Sequence, residues 1–186
     1  MTCSESVAGC AEAQPARRLF LVGPMAAGKT TLGRHLAERL DMPFADSDRE
    51  IEARAGVDIA TIFDFEGESG FRTREHRMIA ELTTRPEIVL ATGGGAVLLP
   101  ENRELLHSRG FVIYLAITVD EQLRRTRRDR SRPLLQSGER RATLTRLAAE
   151  REPLYRAVAH ATVETAGRRS RQTLERILAL LPAHFR

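Results

Sequence analysis

The stretch "GPMAAGKTT", from Gly23 to Thr31, decides how the rest of this sequence is interpreted. It matches the pattern G-x-x-x-x-G-K-[ST], and it lies between the apolar segment "RLFLVG" (18–23) and a helical pattern that begins at Lys29. A strand, this loop and a helix in succession form the context in which the pattern binds phosphate groups. A glycine-rich turn that merely starts a helix is the alternative, and the motif together with its context favours the phosphate-binding loop.

The loop also contains the only lysine among the 29 Lys and Arg residues of the chain. Lysine is a compact point charge on a mobile stem, whereas arginine is a wide planar fork, so the two are not interchangeable in a tight space. We therefore expect Lys29 to bridge the β- and γ-phosphates of ATP, and the hydroxyl of Thr30 to bind Mg²⁺. Backbone N–H groups at the start of the helix would surround the β-phosphate. The predicted nucleotide-binding loop residues are Gly23, Ala26, Ala27, Gly28, Lys29, Thr30 and Thr31.

Strand-like and helix-like segments alternate from residue 18 onward, which predicts a parallel sheet with helices on its faces. The five predicted strands are 18–23, 43–46, 87–93, 111–117 and 160–165. The predicted helices are 29–40, 50–55, 59–65, about 70–83, 101–107, 120–128, 139–159 and a closing segment from about 171. We expect one domain over residues 17–186, preceded by a flexible tail over residues 1–16.

The composition of the chain bears on three classes of protein: membrane proteins, nucleic-acid-binding proteins and secreted proteins. No apolar run approaches the roughly 18 residues that span a bilayer, so we expect no membrane segment. The surplus of arginine suggests nucleic-acid binding, but acidic residues are interspersed, the net charge is only +4, and no aromatic-rich basic stripe is present. A small anionic ligand explains the arginines equally well. The opening residues lack the basic start and apolar block of a secretory signal, and the two cysteines, Cys3 and Cys10, give no disulfide or metal framework, so a cytoplasmic protein is expected.

Two acids in "ADSD" (45–48) follow the second predicted strand. Phosphate-binding-loop enzymes usually have an acid for the metal at the end of another strand, and the third predicted strand ends in "ATGGG" without one. In an extended chain, Asp46 and Asp48 would lie on one side, where one would hold Mg²⁺ through water and the other would accept a proton from an attacking hydroxyl. A turn or a helix N-cap is the alternative.

The segment "TGGGAV" (92–97) ends the third predicted strand with three glycines. Glycine weakens regular structure, so a run of this kind suggests that something approaches the backbone closely. The carboxyl ends of parallel strands form the ligand crevice of open α/β folds, which supplies that reason. A plain tight turn is the alternative.

Three arginines stand out by position, although a solvated surface role is the alternative for each. Arg72 follows Phe71 at the start of a predicted long helix, and Arg151 opens "REPLY" near a helix end. Arg132 precedes a proline in the charged segment "RRDRSRPLLQSGERR" (127–141), which we interpret as a mobile surface loop.

Taken together, the stretches "GPMAAGKTT", "DSD", "IFDFEGESGFR", "TGGGAV", "RPLL" and "REPLYR" resemble those of the shikimate kinase family. They occur in that family's order and approximate spacing over about residues 18–180. The resemblance implies a three-layer α/β/α fold with a five-stranded parallel sheet in the order 2-3-1-4-5, a P-loop and a lid. It also implies transfer of the γ-phosphoryl group of ATP, with Mg²⁺, to the 3-hydroxyl of shikimate. We further expect a monomer without nucleic-acid or membrane partners.

The resemblance also implies roles for individual residues. Asp48 would bind the shikimate hydroxyls and serve as the base, and Asp46 would support Mg²⁺ with Thr30. Arg132 would come from the lid over the phosphates, and Arg125 and Arg168 would border the adenine. The implied catalytic residues are Lys29, Asp48 and Arg132, and the implied shikimate-binding residues are Asp48, Phe63, Arg72, Gly93, Gly94, Gly95 and Arg151.

The sequence also departs from the family pattern and leaves rivals open. Ala26 stands where the family often has glycine, so we expect the turn to work with a negative φ there. The nearest rival is another small-metabolite P-loop kinase, such as a gluconate kinase, which has the same phosphate-binding loop and a different acceptor site. A rival of another class is a non-catalytic ATP-binding regulator or nucleic-acid binder on the same fold, which the arginine content favours.

Overall fold

A computed structural model describes residues 16–127, 139–167 and 170–185. Its five strands are β1 (Arg17–Val22), β2 (Phe44–Asp46), β3 (Glu87–Ala91), β4 (Phe111–Ala116) and β5 (Ala161–Glu164). They form one sheet in the order β2-β3-β1-β4-β5, and all four neighbouring pairs are parallel. The predicted fold class and strand order are confirmed.

Seven α-helices and one short 3-10 helix lie within the described residues. They are α1 (Lys29–Leu40), α2 (Ser47–Ala55), α3 (Ile59–Leu82), α4 (Pro100–Arg109), α5 (Val119–Arg125), α6 (Arg140–Val158), α7 (Ser170–Leu180) and the 3-10 helix Ala183–Phe185. In this part of the chain, none of the helices combines the length and the apolar character that a membrane span requires.

The three central strands are buried on both faces, so each contains a continuous apolar run rather than an alternating pattern, at 19–22 in β1, 88–91 in β3 and 112–115 in β4. Side chains of a strand point to opposite faces in turn, and β1 shows the consequence. Leu19 and Leu21 pack into a core with α1 and α7, whereas Phe20 and Val22 pack into a second core with α3, α4 and α6. These two cores produce the three layers and hold the strand ends in fixed positions.

Several predicted boundaries differ from those of the structure, and two of the differences lie next to the site. The helix predicted from Glu50 begins at Ser47, because the carboxylate of Asp46 accepts a hydrogen bond from the backbone N–H of Asp48 and caps the helix. The strand predicted to reach residue 93 ends at Ala91. The two helices predicted over 59–65 and 70–83 form one element, α3, which is interrupted at Gly67 by non-helical angles of φ 70° and ψ −177°.

Candidate active site

The phosphate-binding loop connects β1 to α1 at the carboxyl edge of the sheet. The ammonium of Lys29 donates to the carbonyls of Gly23 at 2.7 Å and Pro24 at 2.9 Å, so this charge lies across the mouth of the loop. Gly28 precedes the first turn of α1 with φ 93°. The expected negative φ at Ala26 was wrong: its φ is 61°, the left-handed region in which glycine fits without strain.

Thr30 and Asp46 bring two oxygen ligands together beside this loop. The Thr30 hydroxyl donates to Asp46 Oδ2 at 2.6 Å, and Oδ1 of the same carboxylate accepts from the backbone of Asp48 at 3.2 Å. Hydroxyl and carboxylate oxygens are hard ligands of the kind that Mg²⁺ prefers. Among the described residues, no group of three or more His, Cys, Asp or Glu side chains is placed to hold a metal ion.

Asp48 lies in the first turn of α2, not in an extended segment, so the expected strand-like juxtaposition of Asp46 and Asp48 was wrong. Both interpretations of "DSD" apply, because Asp46 caps the helix and also contacts Thr30. Oδ1 of Asp48 is buried and has no hydrogen-bond partner among the described residues. Burial, Asp46 and Glu75 together raise the pKa of Asp48 to about 7, and Lys29 opposes that rise. A carboxyl group with this pKa can accept a proton near neutral pH.

A buried ion pair lies on the other side of Asp48. Arg72 donates to the fully buried Glu75 one helical turn further along α3, and to the exposed Glu68 at 3.2 Å. Oε1 of Glu75 has no hydrogen-bond partner among the described residues, and burial raises the pKa of Glu75 while Arg72 and Arg151 oppose the rise. Glu75 thus lies near Asp48, at Gly93, while the Arg72 guanidinium that it binds lies against Gly95.

The three glycines pass between these groups at very short range. A Cβ at Gly93 would lie 2.5 Å from Asp48 Oδ1 and 2.8 Å from Glu75 Oε1, and a Cβ at Gly95 would lie 2.4 Å from the Arg72 guanidinium. Real Cβ atoms do not approach that closely, so a side chain at Gly93 would displace Asp48 and Glu75, and one at Gly95 would displace Arg72. The glycines thus let two acids and an arginine converge on one backbone segment.

Side chains from two further helices hold this segment in place. The Ser47 hydroxyl of α2 accepts from the backbone of Gly93 at 3.0 Å. From α6, Tyr155 donates to the carbonyl of Gly94 at 2.5 Å, and Arg151 donates to the same carbonyl at 3.4 Å. Arg151 thereby lies on the same crevice as Asp48 and Arg72.

Phe63 is half-buried on the far side of the kink at Gly67. Its ring lies 4.7 Å from the ring of Phe71, which precedes Arg72 in the second part of α3. The kink therefore brings an aromatic side chain and an arginine from one helix to neighbouring positions.

Arg125 is tied to the protein by three sets of hydrogen bonds. It donates to Glu121 at 2.7 Å, to the carbonyl of Ala26 at 3.0 Å and to the carbonyl of Thr165 at 2.8 Å. It thus links the phosphate-binding loop to the segment after β5, and its adenine contact stays a prediction. Arg132 and Arg168 lie outside the described residues.

The sequence motifs did not indicate three residues of this site: Ser47, Glu75 and Tyr155. A signal existed for Glu75, because it follows Arg72 by three residues on a predicted helix, where side chains of opposite charge meet. Tyr155 belongs to "REPLY", but nothing in its spacing shows that its hydroxyl reaches a strand end 61 residues away.

A parallel sheet in this order, a lysine-containing phosphate loop, a Thr–Asp oxygen pair and a buried carboxylate beside them define a P-loop kinase of a small molecule. The family profile described as "Shikimate kinase" matches residues 25–182. A shikimate kinase of Halorhodospira halophila is 58% identical over 164 residues, which cover 88% of this chain and 93% of that protein. The chain therefore belongs to the shikimate kinase family.

Solved structures agree with this assignment. A shikimate kinase from Acinetobacter baumannii, solved in complex with shikimate, is 52% identical with a TM-score of 0.86 and covers 90% of this chain and 93% of that chain. A gluconokinase from Sinorhizobium meliloti is only 13% identical with a TM-score of 0.54, over 90% of this chain and 92% of that chain. The second likeness shows the fold alone, so the gluconate kinase alternative has no support beyond the shared fold.

Proposed function

We propose that this protein transfers the γ-phosphoryl group of ATP to the 3-hydroxyl of shikimate, producing shikimate 3-phosphate and ADP in aromatic amino acid biosynthesis. It is a shikimate kinase, a phosphotransferase with an alcohol as acceptor. The observation that carries the residue assignment is the buried Asp48 oxygen without a partner among the described residues, which lies beside Gly93 and next to the Thr30–Asp46 pair.

The donor side of the crevice fits a nucleotide with Mg²⁺. Thr30 and Asp46 would hold the ion, which when bound neutralises charge on the phosphate oxygens. Lys29 would bind the β- and γ-phosphates, and the N–H groups at the start of α1 would bind the β-phosphate at the positive end of the helix. Arg132, from the segment after α5, is proposed to cover the phosphates, and Arg125 and Arg168 to border the adenine.

On the acceptor side, Arg72 and Arg151 would bind the carboxylate of shikimate through charge-assisted hydrogen bonds. Phe63 would contact the apolar side of the ring, and the glycine segment would lie against its edge. Asp48 would orient the 3-hydroxyl and accept its proton as the oxygen attacks the γ-phosphorus. The bond from that oxygen to phosphorus forms while the bond to the β-phosphate oxygen breaks, and ADP carries the negative charge away.

The test is ADP release, followed with a coupled assay in the presence and absence of shikimate. We expect release only when shikimate and Mg²⁺ are both present, and no comparable release with gluconate as the acceptor. Equal ADP release with and without shikimate would overturn the proposal. Salt-sensitive binding to DNA without ATP turnover would favour a non-catalytic nucleic-acid binder instead.

The proposal extends to the state of the protein in the cell. We propose a monomer in the cytoplasm with no nucleic-acid or membrane partner, and a single kinase domain over residues 17–186 with a tail before it. Interspersed acidic residues and a net charge of +4 support the absence of a nucleic-acid partner. Light scattering after size exclusion should give a mass near 20.8 kDa.

A further inference from the structure

The carbonyl of Gly94 accepts two hydrogen bonds from one helix. Tyr155 and Arg151 are four residues apart in α6, so their side chains lie on the same face of the helix. The Tyr155 hydroxyl is at 2.5 Å from the carbonyl oxygen, and Arg151 Nη1 is at 3.4 Å. The tyrosine therefore makes the close contact, and the arginine lies at the edge of hydrogen-bond range.

Tyr155 is held firmly enough to orient its partner. Only 2% of its surface is exposed, and its ring stacks on the ring of Tyr114 at 5.1 Å with 19° between the planes. Because a trans peptide is planar, a hydroxyl that holds the Gly94 carbonyl also sets the direction of the Gly95 N–H on the opposite side. Gly95 in turn lies directly against the Arg72 guanidinium.

Without the tyrosine hydroxyl, the carbonyl would have one donor left among the described contacts. Buried or half-buried carbonyls are almost always hydrogen-bonded, so Arg151 would move closer to satisfy Gly94. Its Nε is buried without a hydrogen-bond partner among the described residues, so in its present position the guanidinium keeps a donor for an anionic ligand.

We propose that Tyr155 is a positioning residue for shikimate binding: its hydroxyl holds the Gly94–Gly95 peptide and leaves the Arg151 guanidinium available for the substrate carboxylate. This inference rests on the proposed function for the identity of the substrate. The placement of the peptide, however, is a property of the protein alone.

The kinetic test compares Tyr155→Phe with Tyr114→Phe. The two variants each lose one hydroxyl from the same stacked pair, but only Tyr155 contacts the glycine segment. We expect Tyr155→Phe to raise the KM for shikimate about tenfold, the effect of weakening a charge-assisted hydrogen bond, with the KM for ATP unchanged. Tyr114→Phe should leave both values near those of the wild type. A shikimate KM within twofold of wild type in Tyr155→Phe, or an equal rise in both KM values, would overturn the proposal.

A second measurement needs no turnover. Gly–Gly pairs occur in this sequence only at 93–94 and 94–95. The protein is labelled with glycine that carries ¹³C at the carbonyl and ¹⁵N at the amide. An NMR spectrum that selects ¹⁵N amides directly preceded by a ¹³C carbonyl then contains only the amide signals of Gly94 and Gly95. The Gly94 carbonyl signal, detected through the Gly95 amide, should move in Tyr155→Phe and stay in place in Tyr114→Phe. An unmoved signal would refute the positioning role. Wild-type protein inert toward shikimate would instead refute the proposed function while leaving this result decisive.

Discussion

Lys29 is the residue whose type matters most at the donor side of the crevice. Its ammonium lies within 2.9 Å of two loop carbonyls, a space that admits a compact charge. We expect Lys29→Ala to lower kcat by about 10³-fold, because a preorganised donor to the transferring phosphoryl group is lost. Lys29→Arg should also be severely impaired, since the wide guanidinium retains the charge without the fit. Steady-state ADP release measures the activity of both variants. Near-normal activity of Lys29→Arg would show that a positive charge at this position is sufficient for phosphoryl transfer.

Asp48 determines the expected pH dependence. Its pKa of about 7 in the protein without ligands means that the carboxylate, which is the form that accepts a proton, is lost as the pH falls below 7. We expect kcat/KM for shikimate to fall about tenfold per pH unit on that acid side, because kcat/KM reports the free enzyme.

Asp48→Asn should lower turnover at least about 100-fold while changing the affinity for ATP little.

Glu75→Gln provides the control, because Glu75 is the other buried acid at this site. Glu75 contributes to the raised pKa of Asp48, so the variant should keep the acid limb of the pH profile and move it to lower pH. An acid limb that disappears in Glu75→Gln would assign the titration to Glu75 rather than Asp48.

At the scale of elements, α3 has two parts with different partners. Its first part carries Phe63, its second part carries Arg72 and Glu75, and Gly67 joins them with φ 70° and ψ −177°. The ion pair between Glu66 and Arg74, at 2.7 Å, spans the junction. This conformation is accessible essentially to glycine alone, so the angle between the two parts depends on one residue.

We expect Gly67→Ala to lower the free energy of unfolding by about 1–3 kcal/mol and to raise the KM for shikimate, because the strained junction shifts Phe63 relative to Arg72. Nothing lies within 4 Å of the added methyl, so crowding does not contribute. Gly56→Ala is the control: Gly56 has φ 72° at the end of α2, with equally open space. It should cost about 1 kcal/mol without changing the shikimate KM. Thermal unfolding of both variants measures the loss of stability, and steady-state kinetics measures the KM for shikimate. An equal change of this KM in Gly67→Ala and Gly56→Ala would argue against a specific role of the junction.

At the scale of the whole molecule, the crevice joins elements that are far apart in sequence, so ligands should stabilise the entire fold. MgATP at about 100 times its Kd should add about 2.7 kcal/mol, which raises the Tm by roughly 5–10 °C for a chain of this length. EDTA should remove most of that shift, because Thr30 and Asp46 then hold no ion. Asp46→Asn should show a smaller difference with and without EDTA than the wild type. A shift in the wild type that survives EDTA in full would contradict the proposed metal site.

The sequence by itself determined the order of strands and helices, the phosphate-binding loop and the residues that match the family motifs. These features depend on short-range patterns: apolar strands buried on both faces, a glycine-rich turn before a helix, and acids at strand ends. The helix start at Ser47 was missed because the Asp46 cap looks the same in sequence as an acidic pair in an extended chain. The positive φ of Ala26 was missed because a backbone angle at a non-glycine residue is imposed by the surrounding loop.

Only the tertiary structure decided how these parts meet. Tyr155 contacts Gly94 across 61 residues of sequence, and Arg125 contacts Ala26 across 99, so these partners meet only because the helices pack over the sheet. The raised pKa of Asp48 has partly the same origin, because burial and the charge of Glu75 act on it only after α2 and α3 pack together. The strength of an electrostatic interaction depends on the distance between the charges and on the exclusion of water from the space around them, and folding determines both.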